Sequence, residues 1–184
     1  MPTLTKHQLD AAQEFAIASI TALKSAKGFH PGTVVAATAR MAGTYLFRSI
    51  KLDLMGVNPG QAVLSAEASA QAPILIETAA RLLARIGIQL DDERAGSAPP
   101  PADQPLLSFL ESQRNLEPRY APISARFGFS NTDAAYAVAA ATSLLIRHCA
   151  KVLDPNVAFA LAAFGFVEGT KTAPDPVVEP PAKG

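Results

Sequence analysis

The stretch Ile123-Ser124-Ala125-Arg126-Phe127-Gly128-Phe129-Ser130-Asn131-Thr132-Asp133 holds the end of one helix and the start of the next within eleven residues. Gly128 can take the left-handed position that closes a helix without a Cβ penalty, and the apolar Phe129 after it packs back on the last turn. Arg126 puts positive charge at the carbonyl end of the helix dipole. Ser130 with Asp133 reads as a capping box. The same punctuation recurs along the chain. Gly28-Phe29, Gly56-Val57 and Gly87-Ile88 repeat the Gly-plus-apolar stop, with Lys27 and Arg85 preceding two of them. Thr5 with Gln8 repeats the capping box. Asn58-Pro59 and Asp154-Pro155 each offer an N-cap followed by Pro at N1, where the missing N–H costs nothing.

Read outward from these signals, the chain predicts helices near 5–27, 33–55, 59–86, 104–127, 131–153 and 155–168. Pro73 should kink or split the third, and Pro118 and Pro122 should divide the fourth. No segment alternates convincingly with period two, so no sheet is expected. The fold class is therefore all-α, a single-domain bundle of about six helices over residues 1–172. A polar, Pro-rich loop is expected near 91–103, flexible and interrupting the bundle. Two three-helix domains around that loop would each be too small for a robust core. Residues 173–184, with Pro174, Pro176, Pro180 and Pro181, should form a disordered tail.

A chain of 184 residues can bury a substantial core without disulfides or metals. Roughly a fifth of it is Ala, the strongest helix former and one that permits close helix approach. Sixteen Lys and Arg balance sixteen Asp and Glu, so no global field steers the protein to nucleic acid or anionic lipid. The single Cys149 rules out an intrachain disulfide and suits a reducing cytoplasm. The first residues carry no secretory signal. The uncharged stretches 134–146 and 155–167 are thirteen residues each, short of the roughly 20 a bilayer span needs. High Ala and Pro usage is compatible with a bacterial genome rich in GC.

Four faces follow from helical spacing. In the first helix Leu9, Ala12, Ala16, Ile20 and Leu23 share a side, which places it on the surface of the bundle. In the third, Leu75, Thr78, Leu82 and Ile86 oppose Glu77, Arg81 and Arg85, and Glu77 and Arg81 at i, i+4 should pair. The second helix is a small and apolar cylinder broken by the cations Arg40, Arg48 and Lys51, so it should be nearly central. Its stripe Ala36, Ala39, Gly43 would let a neighbour approach closely. The last helix has no charge over 157–167, and a helix apolar all round cannot face water. It is either central or part of a subunit interface, and a homodimer built on Phe159, Phe164 and Phe166 is the preferred expectation.

Chemistry is harder to find. His7, His30 and His148 lie far apart on different elements, and neither Glu-x-x-His nor His-x-x-x-His occurs, so no metal or other cofactor is expected. Cys149 shares an apolar face with Ala134, Val138, Ala141, Leu145 and Val152 and should be a buried thiol. No Gly-rich phosphate loop or Gly-x-Ser-x-Gly elbow is present. Glu67 lies in the bland stretch Ser65-Ala66-Glu67-Ala68-Ser69-Ala70-Gln71, suited to tight packing, and if that helix is buried it needs Arg40 or Arg48 as its partner. Residues 123–133 resemble the helix-turn-helix pattern of bacterial regulators in Ala125, Gly128, the following apolar residue and the Ser cap. In that family the second helix enters the major groove. Here it offers Asn131, Thr132, Asp133 and Tyr136, then Ala, and no Lys or Arg before Arg147. Nucleic acid is not the favoured partner.

Three functions stay open on these residues, in this order. The first is a non-catalytic protein acting by self-association or partner binding through its apolar last helix. The second is a carrier or sensor of a small apolar ligand, with Arg40, Tyr45 and Glu67 as its polar contacts. The third is a helix-turn-helix-like regulator. Whether an enzyme hides behind the missing motifs is undecided, with the balance against it.

Overall fold

The computed structural model describes residues 3–50, 52–91 and 98–177. Among the described residues six α-helices follow one another: α1 (Lys6–Leu23), α2 (Pro31–Ser49), α3 (Ala66–Arg85), α4 (Phe109–Phe127), α5 (Asn131–Cys149) and α6 (Pro155–Lys171). A single 3-10 turn at Pro101–Asp103 precedes α4. Among the described residues there is no sheet, only isolated bridges between Ser25 and Gly28 and between Ala62 and Thr172. The chain is an all-α bundle, as its punctuation predicts.

Every one of these helices begins on a side chain that accepts a first-turn backbone N–H: Thr5, His30, Ser65, Ser108, Ser130 and Asp154. The boxes Thr5–Gln8 and Ser130–Asp133 form, and Ser108–Glu111 makes a third. The N-cap of α2 is a histidine: His30 Nδ1 accepts from the Thr33 amide at 3.1 Å, which leaves Nε2 to face the Ala102 carbonyl at 2.8 Å. Gly87 and Gly128 close α3 and α4 with paired reversed bonds. Ile88 N–H reaches the Leu83 carbonyl at 2.9 Å and Phe129 N–H reaches that of Ser124 at 3.0 Å. Gly28 and Gly56 also have positive φ, but they stand in turns after α1 and α2 have already ended.

Three local readings are modified in the structure. Asn58-Pro59 does not start a helix, and α3 waits until Ser65. The backbone there is paired elsewhere: Gly60 N–H donates to Ala173 at 2.8 Å, Val63 N–H to Lys171 at 2.7 Å, and Ala173 N–H to Gln61 at 2.9 Å. Pro73, Pro118 and Pro122 do not split their helices, since α3 and α4 run through them. All three prolines are exposed, as are Ser69 and Arg114 four residues before the first two, so the freed carbonyls can bond water. The face of α1 is also rotated from its expected one: Gln8, Ala11, Ala12, Phe15, Ala16 and Ser19 are buried, and Leu9, Ile20 and Leu23 are half-buried.

The core is built on α2 and α5. Every residue of α2 from Gly32 to Phe47 is buried, as expected of a central helix. It packs on α6, α5 and α4, and α5 packs on α1 and α3 as well. In α3 the expected face is the buried one, with Leu75, Thr78 and Leu82 inside, and the Glu77–Arg81 pair forms at 2.6 Å. The predicted loop keeps residues 92–97 outside the described part, while its far end is tied to α2 by the Ala102–His30 bond and by Leu106 N–H to Thr33 Oγ1 at 3.0 Å. The expected tail is a correction in part. Residues 173–177 are docked, with Ala173 buried, and 178–184 lie outside the described residues.

α2 and α6 approach each other backbone to backbone. A Cβ on Gly43 would lie 2.7 Å from the Gly169 Cα, one on Gly165 would lie 2.9 Å from the Ala36 carbonyl, and one on Gly169 would lie 2.3 Å from the Arg40 carbonyl. The small stripe Ala36, Ala39, Gly43 therefore meets Gly165-x-x-x-Gly169. Gly169→Ala should destabilise the fold by about 3 kcal/mol, since two backbones must separate. Urea unfolding measures it, and a change under about 1 kcal/mol would show that the helices part freely.

Glu111 supplies a pH-dependent part of the stability. Hydrogen bonds from the Ser108 backbone N–H and then its hydroxyl lower the Glu111 carboxyl below the ordinary glutamate value. Because the folded value is depressed, this contribution is present above the unfolded pKa and is lost as pH falls through the folded one. Glu111→Gln should therefore lose less stability than the wild type on going from about pH 5 to about pH 3. Urea midpoints across that range compare the two, and parallel curves would contradict the cap's role.

Candidate functional site

Arg40, Tyr45 and Glu67 do not converge. Arg40, at the middle of α2 and only 7% exposed, donates from Nε to Glu168 at 2.6 Å and from Nη1 to the Leu107 carbonyl at 2.6 Å and Ser112 Oγ at 3.1 Å. It thereby joins α2 to the end of α6 and to the entry of α4. Tyr45 is buried on the same helix, and its hydroxyl accepts from Ser124 at 3.4 Å. Burial pushes the phenol above its usual range. Glu67 is exposed in the first turn of α3, where the helix dipole favours a carboxylate without any ion pair. Among the described residues no ion pair joins it to Arg40 or Arg48, so the expected buried Glu67–Arg pair is replaced by Arg40–Glu168 and Arg48–Glu117.

The three phenylalanines of α6 part company. Phe159 and Phe166 are buried within the chain against the bundle and are not available to a partner, which corrects two of the three expected interface residues. Phe164 is 65% exposed. Around it Val157, Ala160, Ala163 and Val167 are half-buried, so the outer side of α6 is an uncharged stripe over 157–167. Val152, expected inside, is instead exposed, because α5 ends at Cys149 and the turn rotates it outward. Cys149 is buried as expected, and desolvation pushes its thiol up to about 11.

A second surface feature escaped the sequence. On α4, Gln113, Arg114, Glu117, Pro118 and Ala121 face the docked segment Asp175-Pro176-Val177 across a groove of about 400 Å³. Glu117 takes both Nη atoms of Arg48, with Nη2 at 3.2 Å, and accepts from Gln113 Nε2 at 2.7 Å. Gln113 reads the Asp175 backbone on both sides: its Oε1 accepts from Asp175 N–H at 2.9 Å and its Nε2 donates to the Asp175 carbonyl at 3.2 Å. Arg48 Nη2 donates to the same carbonyl at 3.0 Å. Arg114 forks onto the Asp175 carboxylate at 2.7 and 3.3 Å. A sequence signal existed in Arg114, Glu117 and Asp175, but only the fold carries the chain end back across α4.

Deeper in, Ser19, Thr38 and Tyr120 form a buried polar chain, with Tyr120 OH 2.5 Å from Ser19 Oγ and Thr38 donating to Ser19 at 2.9 Å. It links α1, α2 and α4 and is closed to solvent. Among the described residues no group of three or more His, Cys, Asp or Glu could hold a metal ion, and no helix is long and apolar enough to cross a membrane. The second helix of the helix-turn-helix resemblance is α5, which α1, α2 and α3 enclose, so its side chains are mostly in the core. No protein-family model matches the chain, nor does any curated protein or solved structure.

Arg40 is the residue of the expected set on which most structure converges. Arg40→Ala should cost about 3 kcal/mol by stranding Glu168, Ser112 and the Leu107 carbonyl, and Arg40→Lys should restore only part of it, since an ammonium lacks the planar fork. Denaturant unfolding of both variants tests this. A Lys variant as stable as the wild type would mean that charge alone, and not the geometry of the fork, is what the site needs.

Proposed function

We propose that this is a non-catalytic protein that acts by association, and that its partner is a second copy of the chain seated on the outer face of α6. The observation that carries the reading is Phe164, 65% exposed on a helix without charge over 157–167. Contiguous exposed apolar area marks association surfaces, and here Phe164 stands among the half-buried Val157, Ala160, Ala163 and Val167. A formal net charge of zero removes the mutual repulsion that would keep two copies apart. The same reading takes the protein to be cytoplasmic and bacterial in origin, which a lone reduced thiol and the Ala- and Pro-rich composition support. The carrier reading has less behind it, because Arg40 and Tyr45 spend their polar atoms on Glu168, Leu107, Ser112 and Ser124.

Sedimentation velocity decides between the states. The wild type should sediment as a dimer at about 10 μM, and Phe164→Asp should sediment as a monomer with its thermal unfolding little changed, since surface substitutions usually stay within about 0.5 kcal/mol. A wild type that remains monomeric at that concentration rejects the proposal.

A further inference from the structure

We propose that the groove beside α4 is a docking site for an extended acidic segment of a partner protein, an Asp-Pro pair followed by a bulky apolar residue, which residues 173–177 of this chain occupy in cis. The chemistry of the ligand is written in the segment already seated there. Gln113, 1% exposed, pairs with both the N–H and the carbonyl of Asp175, the pattern by which one strand reads another. Arg48 adds a second donor to that carbonyl, and Arg114 takes the carboxylate in a two-point fork. Within the groove the segment is thus recognised at Asp175, through its backbone and its acidic side chain, while Ala173 before it pairs with Gly60 and Gln61 outside the groove. Pro176 follows, and it has no N–H to leave unpaired.

Two features separate this site from a plain clamp on the chain end. The reading groups are also held from within the bundle, because Glu117 bonds Arg48 through both Nη atoms and Gln113 through Nε2. The segment also leaves the groove partly empty. Val177 is 60% exposed, and it lines the groove of about 400 Å³ together with the apolar Pro118 and Ala121. A partner with a larger apolar residue at that place gains a contact that the cis segment lacks. Such a gain is what displacing a tethered competitor requires, since tethering confers an effective concentration of order millimolar. Burying one Leu side chain contributes roughly tenfold to a hundredfold in affinity. The groove shares no residue with the α6 face, so the site stands whether or not the protein self-associates.

Fluorescence anisotropy of labelled pentapeptides against the full chain tests the assignment. Ala-Pro-Asp-Pro-Leu should bind the Asp175→Ala chain at least about tenfold more tightly than the wild type, because the cis competitor has lost its carboxylate. Replacing the peptide's Asp or its Leu by Ala should weaken binding about tenfold in each case. Adding Arg114→Ala, on an exposed side chain, should remove the preference for Asp. Equal affinity of the Asp and Ala peptides, or no saturable binding to a folded Asp175→Ala chain at millimolar peptide, overturns the proposal. If Asp175→Ala loses cooperative unfolding, Asp175→Asn replaces it under the same expectations. Loss of folding in both variants would show the segment to be a structural clamp and would also overturn the proposal.

Discussion

The bundle depends on a backbone contact between α2 and α6. At Gly43, Gly165 and Gly169 there is no room for a Cβ, and the neighbouring atoms are main chain or the Ala39 Cβ, which cannot turn aside as a long side chain can. Dispersion between two backbones in contact is strong per unit length, and close packing makes the alignment discrete. Once α6 lies there, Phe159 and Phe166 are carried into the core, Phe164 is carried out of it, and Glu168 is brought to Arg40. The apolar character of α6 is therefore explained mainly by what it packs against inside its own chain.

Polar groups then set the register of the other helices around α2. Arg40 joins the end of α6 to the entry of α4, Arg48 joins α2 to α4 and the chain end, and Thr38 joins α2 to α1 and α4 through Ser19 and Tyr120. Each of these would be costly if a partner were missing, and among the described residues no buried side-chain nitrogen or oxygen lacks one. A core this rich in Ala has little shape of its own. The directional bonds supply the specificity that interdigitating large side chains provide in other bundles.

Both surfaces proposed to bind partners arise from the same construction. Turning one side of α6 toward α2 leaves an uncharged outer stripe around Phe164. Ending α6 beside residues 60–63 sends the next residues across α4, where Gln113 and Arg114 meet Asp175.

What the sequence determined by itself is local. Capping boxes at Thr5 and Ser130, the Asp154-Pro155 start and the Gly87 and Gly128 stops depend on groups within a few residues, and each is found as read. The central position of α2 was legible too, since a helix with two cations among small and apolar residues has nowhere else to go. Only tertiary structure decided the long-range pairings. Arg40 took Glu168 in place of Glu67, which sits exposed at a helix start, and Asn58-Pro59 lost its helix to hydrogen bonds with residues 171–173. The expected tail became a docked segment for the same reason. A carboxylate or a backbone N–H carries no mark of which distant partner it will meet. That choice is made when the α2–α6 contact brings Glu168 to Arg40 and the end of α6 to residues 60–63.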